Sequence, residues 1–152
     1  MHFFVRITLV MILLQACSSN PSSTPAPSPL IGTWELIAAT STQHDTTVST
    51  FDPHIQMIKI INPTHFAFLS HSVNTGADST AAHSFDAGGG AYSLVDSVYT
   101  EHLQYYSDRK WENNSFEFVV KISGDTLVQK GVEKVDNLGV NHIIVETYKR
   151  VK

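Results

Sequence analysis

The residues with chemistry to offer fall on alternating positions in the later half of the chain. Tyr99, Glu101, Leu103 and Tyr105 take every second position of one segment, and His142, Ile144, Glu146, Tyr148 and Arg150 do so in the last. Phe116, Phe118, Val120 and Ile122 make an apolar row between them. In an extended strand every second side chain points to the same face. Turned inward, with Tyr92, these rows would enclose an aromatic-walled cavity holding a few ionisable groups. Such a cavity suits a small hydrophobic or amphipathic molecule, because apolar area gives affinity and convergent polar groups orient the guest. The alternative is that Glu101, Glu146 and Arg150 form a satisfied buried network, or sit at a wet rim. A buried carboxylate left alone is costly, so pairing with Arg150 or a tyrosine is expected. Tyr92, Tyr99, Glu101, Tyr105, Phe118, Glu146 and Tyr148 are the cavity candidates.

Other chemistries find less support. The chain has eight histidines, but His65 and His71, on one face of a strand, would stand roughly 20 Å apart at about 3.3 Å per residue. There is no His-x-His and no His-Glu-x-x-His, and Cys17 is the single cysteine, so neither a zinc motif nor an intramolecular disulfide is present. No metal or cofactor is expected. Gly88-Gly89-Gly90 lacks the lysine and the strand–helix context of a phosphate loop, and reads as a bend or bulge in a strand. No Ser-His-Asp arrangement or cysteine nucleophile marks an enzyme. A net charge of −4 with no basic stripe argues against nucleic acid.

The elements that must position these residues are strands. Runs rich in Val, Ile, Thr, Phe and Tyr, several with polar alternation, cover 34–40, 54–61, 65–71, 90–95, 98–106, 115–123, 126–130 and 140–151. Asn62-Pro63-Thr64, Asp96-Ser97 and Gly124-Asp125 are turn signals between them. Residues 41–50 and 72–84 read as longer loops, and no segment is convincingly helical. Eight short antiparallel strands in a meander must close on themselves or be covered to protect their edges. The expected fold is all-β, an up-and-down antiparallel barrel of about eight strands.

Ahead of the barrel lie two segments of different character. Arg6 is followed by an apolar run from Ile7 to Leu14, too short for a stable membrane span but fitting a secretory signal peptide. Leu14-Gln15-Ala16-Cys17 resembles the lipobox of bacterial lipoproteins, which implies cleavage after residue 16 and lipidation of Cys17. Residues 17–29 hold four of the six prolines and almost no apolar side chain, so they read as a tether. Twelve residues in polyproline II would span roughly 35–40 Å. Ser18, rather than Asp, after the cysteine implies by the family's sorting rule an outer-membrane lipoprotein, and the missing acidic cluster favours the periplasmic face.

Gly32-x-Trp34 at the mouth of the first strand resembles the opening of lipocalin and calycin barrels. In those families the Trp plugs one end and an Arg from the last strand lies over its indole, which implies a pairing of Trp34 with Arg150. Pro63-Thr64-His65-Phe66, Phe85-Asp86-Ala87-Gly88-Gly89-Gly90-Ala91-Tyr92, Tyr99-Thr100-Glu101 and Tyr148-Lys149-Arg150-Val151 resemble, in order and spacing, a lipocalin-like domain family of bacterial lipoproteins and secreted proteins. The likeness covers residues 30–152 and implies a calycin-type barrel with an internal cavity, but no defined ligand. Three function classes remain: a lipid-anchored binding barrel, a structural or partner-binding lipoprotein with a filled barrel, and an enzyme using a Glu/His pair. The first is the leading expectation, without enzymatic activity. Cys17→Ala should release the protein from membrane fractions; a variant that still pellets with membranes would contradict lipidation.

Overall fold

The computed structural model describes residues 27–73 and 84–152; the signal segment, Cys17 and most of the tether lie outside these. β-branched and aromatic runs become nine antiparallel strands: β1 (Gly32–Gln43), β2 (Thr46–Ser49), β3 (Ile55–Ile61), β4 (His65–Ser72), β5 (Phe85–Val95), β6 (Val98–Tyr106), β7 (Asn114–Ser123), β8 (Thr126–Val135) and β9 (Val140–Arg150). Each pairs with its neighbour in order from β3 to β9, and β1 pairs with both β3 and β9. Eight strands therefore close an up-and-down barrel of lipocalin-like form, with β2 as an extra strand on the far end of β1. Closure leaves the barrel strands with no open edge to protect.

Residues 41–50 are not the loop expected from their polar composition. Thr42 and Thr47 pair across a hairpin, their hydroxyls 2.8 Å apart, and the turn is made by His44 and Asp45 with φ of 47° and 60°. Two consecutive positive φ values are the signature of the turn that matches strand twist. The signal was missed because neither residue is the glycine or asparagine that usually announces it.

The two ends of the barrel differ in how strands are joined. At one end lie the three short turns. Asn62 accepts backbone N–H bonds from Thr64 and His65 at 2.9 and 2.7 Å, an asparagine turn that substitutes for backbone pairing. Asp96 and Gly124 supply the positive φ of the other two. Side chains within a few residues of these turns fill this end: Ile61, Phe66, Tyr99, Phe118, Leu127 and Tyr148 are all 3% exposed or less. Tyr92 donates to the Asn62 carbonyl at 2.8 Å and packs on Tyr99 at 5.2 Å between ring centroids. At the other end the connections are longer, and two of them carry short 3-10 turns at Arg109–Trp111 and Asp136–Leu138.

Trp34 and Leu30 plug the short-turn end. The indole N–H donates to the Leu30 carbonyl at 2.8 Å, and the Arg150 guanidinium lies over the indole at 4.0 Å from its centroid. Arg150 also donates to the carbonyls of Ile31, at 2.9 Å, and Pro29. Gly32, with φ of +148°, has no side chain for a reason: a Cβ there would run into the Arg150 guanidinium. Packing thus reaches back to Ser28, whose hydroxyl accepts from the Leu30 N–H, two residues before the boundary that composition suggested. Trp34→Ala should cost about 3–5 kcal/mol of unfolding free energy, as for other buried large-to-small changes. Arg150→Ala should cost about 1–2 kcal/mol from the lost stack and stem packing. In denaturant titrations the double variant should lose less than the sum; strict additivity would mean the two do not act as a unit.

Candidate functional site

Above the packed end the barrel interior is hollow and polar. Lys59, on β3, points inward and is 2% exposed, with Glu101 of β6 and Gln129 of β8 at 7% and 1%. Its ammonium donates to Glu101 at 2.7 Å and to Gln129 at 3.1 Å. It also lies 5.8 and 5.4 Å from the ring centroids of Phe66 and Tyr148. Burial alone would lower the lysine pKa, but the carboxylates of Glu101, Glu146 and Glu133 outweigh it and raise it above the ordinary value. Charge on Lys59 therefore stabilises the fold fully below the unfolded-chain lysine value, and the contribution is lost only as pH rises through the higher folded one.

This layer is the floor of a cavity of about 230 Å³ lined by Met57, Lys59, Phe68, Ser70, Asp86, Glu101, Tyr106, Gln129, Glu133 and Glu146. Two smaller or similar spaces adjoin it through shared walls. One, of about 150 Å³, continues between Phe68, Tyr106, Trp111 and Phe116. The other, of about 250 Å³, continues past Met57 and Ser70 to Leu36, Phe51 and Ile55. Larger hollows of about 360 and 330 Å³ also exist. They involve outward-facing residues such as Val132, Ile143, Leu69 and Phe85, and none of the Lys59 layer, so they are surface features.

Each carboxylate of the cavity has a partner. Tyr106 donates to Asp86 at 2.8 Å, Tyr148 donates to Glu146 at 2.6 Å, and His142 Nε2 lies 2.9 Å from Glu133. Burial raises the Glu133 pKa and the like charges of Glu146 and Glu101 add to it, while His142 opposes the shift. Burial, with the adjacent carboxylates, pushes the hydroxyls of Tyr106 and Tyr148 well above the usual tyrosine range, so both are neutral donors. The Tyr99 hydroxyl is the one fully buried side-chain polar atom without a hydrogen-bond partner among the described residues. Glu101 is near enough to oppose its ionisation, though the geometry makes no bond.

Of the seven cavity candidates, Glu101 and Glu146 line the space. Tyr99, Phe118 and Tyr148 belong to the packed end beneath it, and Tyr92 sits beside the Asn62 turn, so these four are not walls of the cavity. Tyr105 is a correction of a different kind: it is 69% exposed, on the outside. The register between β5 and β6 passes from Gly89↔Tyr105 to Gly90↔Leu103, so Gln104 is an extra residue in β6. One inserted residue exchanges the faces of everything beyond it. Tyr106, not Tyr105, therefore enters the barrel. Gly88 provides its room, because a Cβ at that position would stand 2.6 Å from the Phe68 ring and 2.9 Å from Tyr106.

Sequence reasoning missed Lys59, Gln129, Glu133, Asp86, Tyr106, Phe68 and Trp111. The partner of Glu101 is Lys59 rather than Arg150 or a tyrosine. Lys59→Met should leave Glu101 buried without its counter-ion and cost about 3–5 kcal/mol. Adding Glu101→Leu should recover part of that loss in equilibrium unfolding, since no stranded charge remains; a double variant as damaging as the sum would show that the pair is not coupled. Neither a protein-family model nor a curated protein sequence matches this chain, so what the barrel does is read from its own interior.

Proposed function

We propose that this protein is a lipocalin-like barrel, held in the cell envelope through lipidated Cys17, that binds a small amphipathic molecule in the open half of its interior. The observation that carries this reading is the unequal filling of the barrel. One end is packed solid around Trp34, whereas the space above Lys59 is hollow, with apolar walls from Met57 and Phe68 and polar groups converging from six strands. That is the combination of concavity, apolar area and a few placed polar groups that small-molecule sites require. The volume restricts the guest to a small molecule, or to one end of a longer one. The lipoprotein resemblance supplies the setting: an outer-membrane anchor and a tether with the barrel facing the periplasm.

A filled structural barrel would have no reason to keep a lysine and a carboxylate inside, since apolar residues of similar volume are often as stable or more so. Glu133 on the cavity wall and His142, 2.9 Å from it, are the pair an enzyme would use for proton transfer. A bell-shaped pH profile of turnover would favour that second reading.

The full-length protein should take up a small neutral naphthylamine dye whose emission rises in apolar surroundings. Ser70, on the walls of two of the adjoining spaces, is the position at which to block it. Ser70→Trp should reduce uptake at least about ten-fold while leaving the melting temperature near wild type, because added bulk enters empty space rather than a packed core. Wild-type protein that takes up neither this dye nor a charged small molecule would defeat the binding reading.

A further inference from the structure

We propose that the ligand is an organic cation, an alkylated ammonium head group seated among Phe68, Tyr106, Trp111 and Phe116 and faced by Glu101 and Glu133. The proposal rests on the small-molecule reading above and adds the sign and chemistry of the guest's charge. Its first support is the aromatic end of the cavity. Phe68 and Tyr106 stand 5.5 Å apart between centroids, Tyr106 and Trp111 6.2 Å, and Trp111 and Phe116 6.2 Å, with the Tyr106 and Trp111 planes at 89°. These rings bound a space of about 150 Å³, a volume that holds a benzene-sized group. Aromatic faces carry negative potential, and boxes of crossed rings are the usual receptor for alkylammonium groups.

The second support is the charge of the walls. Asp86, Glu101, Glu133 and Glu146 line the adjoining space together with the single cation Lys59. Lys59 is already committed to Glu101 and Gln129, so the remaining field is negative. An anionic head group would be repelled by Asp86 and Glu146, whose partners are neutral tyrosine hydroxyls, whereas a cation would offset the burial and the like charges that together raise the Glu133 pKa. A divalent metal is a poorer fit. Among the described residues no three His, Cys, Asp or Glu side chains are grouped to hold one, and each cavity carboxylate already has a different partner. A diffuse ammonium needs no such convergence of ligands.

Isothermal titration of the full-length protein with butyltrimethylammonium, its uncharged tert-butyl carbon isostere and pentanoate tests the proposal. The cation should bind at least about ten-fold more tightly than the isostere, and pentanoate should be weakest. Trp111→Leu and Glu133→Gln should each weaken the cation several-fold; Glu133→Gln should leave affinity for the isostere unchanged. Equal or tighter binding of the isostere or of pentanoate would overturn the cation assignment while leaving a binding barrel in place. Failure of all three ligands, together with failure of the neutral dye to enter, would overturn the binding reading itself. Dye uptake without any preference for the cation would overturn only the present inference.

Discussion

A lysine ammonium held inside a closed barrel is the constraint on which the rest of this structure depends. Removing such a charge from water costs several kcal/mol, and only close, well-directed partners offset it. Here those partners come from two other strands: Lys59 on β3 is held by Glu101 on β6 and Gln129 on β8. The contacts run across the barrel rather than along its wall, so they tie opposite sides of the sheet together. They also divide the interior. Below the ammonium, rings and aliphatic groups pack to exclusion; above it, polar groups and open space begin. The rings of Phe66 and Tyr148 at the boundary contribute through their faces as well as their bulk.

Everything at the short-turn end serves to fix that layer. Tight turns hold the strands in register, Trp34 fills the end, and Arg150 joins the last strand to the segment before the first. The opposite end is joined differently. Its connections are longer, and one of them brings Trp111 back against Tyr106 and Phe116. The extra residue in β6 and the absence of a side chain at Gly88 act together to admit Tyr106. A bulge that re-aims one aromatic ring toward a cavity is a common use of such irregularity.

The architecture was legible because its signals are local and repeated. Period-2 alternation, β-branched runs and turn residues recur along the chain, and closure follows from the need to protect edges. Glu101 and Glu146 were also legible as inward residues, from their parity with apolar neighbours. Tyr105 was misplaced because parity survives only while register is unbroken, and a single-residue bulge leaves no mark in composition. Lys59 was invisible for a different reason. Both faces of β3 carry aliphatic residues, Met57 and Ile61 inward and Ile58 and Ile60 outward, so alternation could not say which way a lysine points. Glu133 lies on the second half of β8, which extends past the expected end at residue 130. His44-Asp45 hid a hairpin because its turn residues are not the common ones.

The most direct test of the account is to locate a bound guest. Butyltrimethylammonium added to the isotopically labelled full-length protein should give intermolecular nuclear Overhauser contacts from its methyl groups to the ring protons of Tyr106 and Trp111. It should give none to Trp34, which lies beneath the Lys59 layer. Contacts confined to the outer face, at Ile58, Leu69 and Phe85, or contacts with Trp34, would contradict a cavity that opens above Lys59 and ends there.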